Sequence, residues 1–455
     1  MPLLQIARRE IVRLKKLPQR TRSTLALWLG AAVVGLVAVL LAKAAEWAFL
    51  GFSALHARWL WWPFVSLPLG GMAIRWLMDR IGKGAEGSGI PQTMAAIEVA
   101  GKPEIAGKVL SLRIGAVKFV GIVMGLGSGF VLGREGPTVQ IGASLMYACR
   151  KLMALPNEQV QRQLILAGGA AGIAAAFNTP LAGIVFAFEE LARSVETETS
   201  GRLIGAVILA GVVALALQGD YTYFGRIHVP DFNYAILLPL IPVAVTAGLV
   251  GGLFSWLCVH QARWMPRPLA ELRRQRPYLF IAACGLVIAA CGLLVPVFGS
   301  GADETSHVIG GEGLMVWYYL PLKLLSLLAT FITGLPGGVF APALSLGAGV
   351  GSWFAPLFGA DVQIKIVAIG MVAALAAVTR APVTSAIIMI EMTDGHAMVI
   401  STLASAMIAS NVARVFRVNL YHDLAARVLL QYGHGSTPHA PAATAKGTHT
   451  DDSNH

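Results

Sequence analysis

The chain has 455 residues, a formal net charge of +11, 56% hydrophobic residues and only 13% charged ones, with a mean hydropathy of +0.67. A water-soluble body of this size needs far more charged surface, so these values exclude a soluble globular domain and point to a polytopic α-helical membrane protein. Apolar runs continue over about 20 residues instead of alternating in strands of about ten, which disfavours a transmembrane β-barrel.

Seven basic residues fall within the first 22, namely Arg8, Arg9, Arg13, Lys15, Lys16, Arg20 and Arg22. They directly precede the apolar run 25–41, the flank expected on the cytoplasmic side of a first spanning helix. Residues 1–22 are therefore read as a basic cytoplasmic segment, and the long apolar run argues against a cleaved signal peptide. Further basic residues gather in short loops, at Arg150, Lys151 and Arg162 and from Arg263 to Arg276. No aromatic-interleaved basic groove accompanies them, so the charge reads as membrane orientation and not as nucleic-acid binding.

A long membrane helix is predicted from about 23 to 50. Apolar segments follow at 62–77, 110–132, 164–190, 203–216, 235–259 and 279–297, then at 320–333, 339–357, 366–391 and 399–415. Several are shorter than the roughly 20 residues of a full crossing, or carry Pro and Gly at mid-depth. Such broken pieces are tolerated only where their backbone groups face protein, ion or water. Cys149, Cys258, Cys284 and Cys291 lack metal-ligand spacing and read as small core hydrophobes. Residues 431–455 are polar and aperiodic and are expected to form a disordered cytoplasmic tail; its irregularly spaced histidines do not make a metal site.

The apolar body repeats itself. Gly168 and Gly370, Pro180 and Pro382, and Glu189 and Glu391 are each 202 positions apart. Lys118 and Lys323, Gly129 and Gly334, Gly133 and Gly338, Pro137 and Pro342, and Gly142 and Gly347 are each 205 apart, with Glu135 opposite Phe340. Two nearly equal offsets across four segments argue for duplicated halves, at about 60–220 and 235–425 within a transport domain spanning 23–430. Matched broken helices usually surround one central binding site, which favours inverted repeats and a transporter or channel.

The polar breaks carry the chemistry. In GSGIP (87–91), Gly87 and Gly89 allow a tight backbone approach, Ile90 and Pro91 open a helix, and Ser88 can cap that helix or turn its hydroxyl inward. Free N–H groups at such a helix start favour a monoanion. In GREGP (133–137), Gly133 and Gly136 flank Arg134 and Glu135, and Pro137 enters the next helix. A buried Glu135 can accept the same backbone donors as an anion, and its protonation would couple proton and anion occupancy. Arg134 is assigned to scaffold or to an interfacial ion pair.

In PGGVFAP (336–342), Gly337 and Gly338 free the backbone, the N–H groups of Val339 and Phe340 can point at an anion, and Ala341 and Pro342 open a helix. Glu189 and Glu190 close a long apolar segment, and periodicity does not say which of them faces inward. Glu391 reads as structural, held by a basic group or by backbone near a helix end. Tyr421 can either point at an ion or anchor the membrane interface.

Together GSGIP, GREGPTVQIG, AAAFNTPLAGIVFAFEE, PGGVFAP and APVTSAIIMIEMTD resemble, in order, the motifs of the CLC family of chloride channels and chloride/proton antiporters. The resemblance spans about 25–430. It implies an all-α inverted-repeat membrane fold, a homodimer with one ion path per subunit, and chloride and protons as transported ions, with no cofactor. It implies chloride coordination by the hydroxyls of Ser88 and Tyr421 and the N–H groups of Val339 and Phe340, with Glu135 as external gate. Glu190 matches the internal proton-transfer acid of the antiporters, which channels of the family generally lack. Ser88 favours chloride over nitrate, and the fluoride exchangers differ around both the Ser and the Tyr positions. The expected setting is a lipid bilayer, the bacterial inner membrane, with the N-terminus cytoplasmic. A passive voltage- or pH-gated chloride channel is the alternative. An intramembrane enzyme is disfavoured, because no HExxH or Ser/Lys dyad occupies a spanning segment.

Overall fold

The computed structural model describes residues 18–152, 157–192, 200–219, 224, 236–393, 395 and 398–433. Most of the predicted basic segment (1–17) and of the predicted tail (434–455) lies outside the described residues. Among the described residues the chain is helical, and the sole β feature is one isolated antiparallel bridge.

The first half comprises α1 (Gln19–Arg58), α2 (Pro63–Ile81), α3 (Ile90–Glu98), α4 (Pro103–Val109), α5 (Leu112–Ser128), α6 (Glu135–Ala148), α7 (Glu158–Phe177), α8 (Pro180–Phe186), a wide π-helical turn (Ala187–Ala192) and α9 (Ser200–Gln218). The second comprises α10 (Leu237–Val259), α11 (Gln261–Trp264), α12 (Arg267–Gln275), α13 (Pro277–Gly292), α14 (Ala302–Ile309), α15 (Tyr319–Ile332), α16 (Phe340–Phe354), α17 (Ala360–Thr379), α18 (Pro382–Thr393), α19 (Val399–Ala413) and α20 (Leu420–Gln431). Six helical stretches among the described residues are long and apolar enough to cross a membrane. The first helix is longer than the sequence suggests, because no Pro interrupts it before Arg58.

The sequence repeat reappears as matched geometry. Gly129 and Gly334 close α5 and α15 with φ of 95° and 73°. Asn178 and Arg380 cap the C-termini of α7 and α17 in the left-handed region, at φ 58° and 64°. Lys118 and Lys323 are both fully buried, and each donates to backbone carbonyls: Lys118 Nζ to Gly87 (2.9 Å) and Lys323 Nζ to Val297 (2.8 Å). An ammonium is costly in an apolar interior unless its protons are taken up, and these carbonyls take them.

Small residues make the buried helix pairs possible. Where α6 crosses α7, a Cβ on Gly142 would sit 2.3 Å from the Gly168 carbonyl oxygen. Where α16 crosses α17, a Cβ on Gly347 would sit 2.2 Å from the Gly370 oxygen. In a bilayer, where apolar burial between helices gives little advantage over lipid contact, such close backbone approach is what holds helices together. The outer surface is apolar, with Leu238, Ile241, Ile400 and Met407 exposed, and with exposed Trp47, Trp61 and Trp317 of the kind that anchors a protein at the lipid–water boundary.

The Gly347→Ala substitution is expected to destabilise the protein by about 1–3 kcal/mol, because the methyl meets backbone and not a flexible side chain. Thermal unfolding in detergent checks this. Gly107→Ala, at a position with open space around the glycine, is the control.

Candidate functional site

The site assembles on the repeat axis. Gly133 N–H donates to the Gly338 carbonyl (2.8 Å) and Gly338 N–H donates to the Gly133 carbonyl (2.8 Å), so each glycine pairs with its own repeat mate. Gly337 N–H donates to the Gly87 carbonyl (3.1 Å), which ties in the third motif. A side chain on Gly338 would meet Gly136 N at 3.0 Å and Pro137 Cδ at 3.1 Å, and one on Gly136 would meet Ser88 Oγ at 2.2 Å. GSGIP, GREGP and PGGVFAP therefore close on one another only because they are glycine-rich.

Ser88 precedes the N-terminus of α3 and makes no capping hydrogen bond to it. Gly89 holds the N-cap position at φ 95°, a conformation that side-chain-bearing residues rarely adopt, and this turns the serine away from its own helix. Ser88 is buried, and its hydroxyl points towards that of Tyr421, at the start of α20. Beyond each other, neither oxygen meets a hydrogen-bond partner among the described residues. Two buried hydroxyls left in this state are costly for a structural role.

Val339 is the N-cap and Phe340 the first residue of α16, so their N–H groups belong to the set that an α-helix does not satisfy internally. The Phe340 ring stacks on Tyr421 (centroids 6.1 Å, interplanar 24°) and meets Phe186 edge-on (6.1 Å, 77°). Ile90, Pro91, Ala341 and Pro342 are all buried behind these turns. Glu135 opens α6 with no measurable exposure, and a Cβ on Gly133 would stand 2.3 Å from its Oε2. Its carboxylate thus lies over the glycine bridge, beside the second-half motif.

Arg134 turns away, its Nη1 donating to the Ala42 carbonyl (3.0 Å) of α1. It lines a cavity of about 110 Å³ with Glu46, Ser300 and Asp303. The scaffold reading of Arg134 fits this geometry.

The consecutive acids separate. Glu190 is buried, whereas Glu189 reaches across to the N-terminus of α18, accepting from Val383 N–H (3.0 Å), Thr384 N–H (2.6 Å) and Thr384 Oγ1 (2.6 Å). Glu391, its repeat mate, accepts from Leu181 N–H (3.1 Å) and Ala182 N–H (2.7 Å) at the start of α8. Each half thus caps the matching helix of the other through matching amides. Such reciprocity is the mark of a two-fold relation between the halves. Glu391 is held by backbone, one of the two structural readings its sequence position allowed.

Sequence reasoning missed a turn and a histidine. Gly299-Ser300-Gly301 repeats the GSG of GSGIP, with φ of 63° and 82° at its glycines against 61° and 95° at Gly87 and Gly89. The identical tripeptide was the available signal, obscured because Asp303 and Glu304 follow it where Pro91 and Gln92 follow the first. These acids occupy the first turn of α14, where their charge complements the helix N-terminus. His422, next to Tyr421, has no counterpart motif in the sequence; its Nε2 lies 3.8 Å from Glu190 Oε1. Among the described residues no group of three or more His, Cys, Asp or Glu side chains could hold a metal ion.

Residues 70–414 match the family described as voltage gated chloride channel. The chain is 31% identical over 452 residues to the H(+)/Cl(-) exchange transporter ClcA of Salmonella paratyphi B, covering 94% of this chain and 93% of the relative. Its fold superposes on a slow cyanobacterial Cl-/H+ antiporter with a TM-score of 0.75 at 25% identity, covering 92% of this chain and 99% of the other. It superposes on a CLC-type fluoride/proton antiporter with a TM-score of 0.73 at 21% identity, over 89% and 98% of the two chains, which bears on the fold alone.

Removing either reciprocal cap, by Glu189→Ala or Glu391→Ala, is expected to cost about 0.5–2 kcal/mol, the usual range for a lost helix N-cap. Parallel thermal unfolding of the two variants checks this, and equivalence of the two contacts requires losses of similar size.

Proposed function

The chain belongs to the voltage-gated chloride channel family, and from that premise we propose that it exchanges chloride for protons across the bacterial inner membrane, with Glu135, Glu190, Ser88, Val339, Phe340 and Tyr421 as its working residues. The observation that carries this reading is the pair of buried hydroxyls, Ser88 and Tyr421, within electrostatic reach of two buried carboxylates, Glu135 and Glu190.

Chloride needs donors without a full countercharge, since a fixed cation would hold it too tightly for release. The amides opening α16 and the hydroxyls of Ser88 and Tyr421 supply partial positive charge of that kind. Lys118 does not compete for this role, because its ammonium is occupied by the Gly87 and Glu86 carbonyls. The stacked Phe340 and Tyr421 rings keep water off the ion.

Glu135, lying against the same turns, is the ion's rival. As a carboxylate it takes up the donors that chloride would use; as a neutral acid it releases them. Proton and chloride occupancy then exclude or admit each other, which is the linkage an exchanger needs. Glu190, buried at the π-helical turn, supplies protons to Glu135 along a route separate from the anion's. The protein would work as a homodimer with the N-terminus on the cytoplasmic side, where the basic residues before α1 place it by the usual charge asymmetry.

Glu135→Gln is expected to abolish proton coupling while chloride still passes, as measured by simultaneous chloride and pH recording in reconstituted vesicles. Chloride-driven proton uptake surviving in that variant would remove Glu135 from the mechanism. Glu190→Gln is expected to lower proton flux by at least roughly 100-fold, the scale of a lost proton-transfer group. A reversal potential that ignores an imposed proton gradient in the unmodified protein would instead mark a passive channel.

A further inference from the structure

We infer that His422 is the residue through which protons reach Glu190, a relay that rests on the reading of Glu190 as the internal proton acceptor. Glu190 retains 1% of its side-chain exposure, whereas the His422 side chain retains 27%. The imidazole bridges that difference, since its Nε2 is sealed from solvent, as is Glu190 Oε1 3.8 Å away. That separation is just beyond direct hydrogen bonding, so a small ring rotation or one intervening water completes the path. A carboxylate this deeply buried has no contact of its own with bulk water. The half-exposed ring beside it does.

Imidazole chemistry fits the task. An incoming proton from bulk water binds Nδ1 and makes the imidazolium; the Nε2 proton then leaves to the Glu190 carboxylate. This yields a neutral glutamic acid and a neutral imidazole protonated on Nδ1. The small ring rotation that admits a water to Nε2 lets proton exchange through that water restore the other tautomer. One proton enters and one is delivered, with no change in oxidation state and no other reactant.

The other ionisable groups near α20 are less suited to the task. On α20 itself, the Asp423 carboxylate accepts from the Asn419 N–H and Arg427 donates to the Val259 carbonyl. Tyr421 faces Ser88, with Cys258 of α10 nearby. The Glu189 carboxylate is turned to α18, and Glu86, before α3, accepts from the Gly84 N–H. Glu98 is exposed on the last turn of α3, and Lys365 is buried on α17. Of these groups only His422 combines exposure with a sealed nitrogen and points that nitrogen at Glu190.

The experiment uses the full chain in vesicles, with chloride and proton fluxes recorded together over a pH series from about 5 to 8, bracketing the histidine range. His422→Gln and His422→Ala are each expected to reduce proton flux roughly ten-fold, at the low end because water offers a slower bypass. Chloride flux falls less, so more chloride moves per proton, and the fall in proton flux near neutral pH is lost from the pH profile. Added imidazole restores proton flux to the alanine variant. A proton flux and pH profile equal to the unmodified protein's in both variants overturns the relay, as does an equal fall in both fluxes that imidazole leaves untouched. Glu190→Gln, run alongside, separates the two levels of inference. Proton flux persisting in that variant overturns the role of Glu190 and the relay with it. Proton flux lost there but normal in both His422 variants overturns the relay alone.

Discussion

Two hydrogen bonds between Gly133 and Gly338 bring the halves of the chain together at the point where their breaks coincide. Each glycine is the repeat partner of the other, so the bridge lies on the approximate two-fold relation between the halves. Helix starts that are symmetry-related in this way converge from opposite directions. Amides left unsatisfied at such helix starts are the kind of donor that holds an anion in a low-dielectric interior without a fixed cation. Glycine suits this position because a Cβ on Gly338 would stand 3.0 Å from Gly136 N, tighter than side chains ordinarily pack.

A symmetric scaffold does not by itself yield a working site, and the departures from symmetry carry the asymmetry of function. Glu135 stands opposite Phe340, so at matching positions one half places a carboxylate and the other an aromatic ring. The two GSG turns have matching backbone angles, but the first leads into Ile90 and Pro91 with Ser88 making no capping bond to its own helix, whereas the second leads into Asp303 and Glu304. The second helix start thus carries its own carboxylates. The buried lysines remain equivalent, each bracing the carbonyls of the turn beside it.

The placement of Glu190 follows from the other reciprocal contact. Glu189 and Glu391 cap α18 and α8, fixing the π-helical turn from which Glu190 projects. A wide turn of this type is frequent at functional sites, since it redirects adjacent side chains. Here one acid of the pair serves the scaffold and the other is buried beside α20, within reach of both His422 and Tyr421.

Much of this was legible in the amino-acid order. Continuous apolar runs specify membrane helices, and the spacing of Gly, Pro and Glu reveals duplication, because both are constraints on local backbone and composition. The motif residues around Ser88, Glu135 and Phe340 were identifiable because each needs a particular glycine-bearing turn in its own vicinity. Which of Glu189 and Glu190 faces inward, what Glu391 binds, and how His422 meets Glu190 were decided only by tertiary structure. These contacts join residues about 200 positions apart, and the packing of the two halves, rather than any local pattern, sets where such side chains meet.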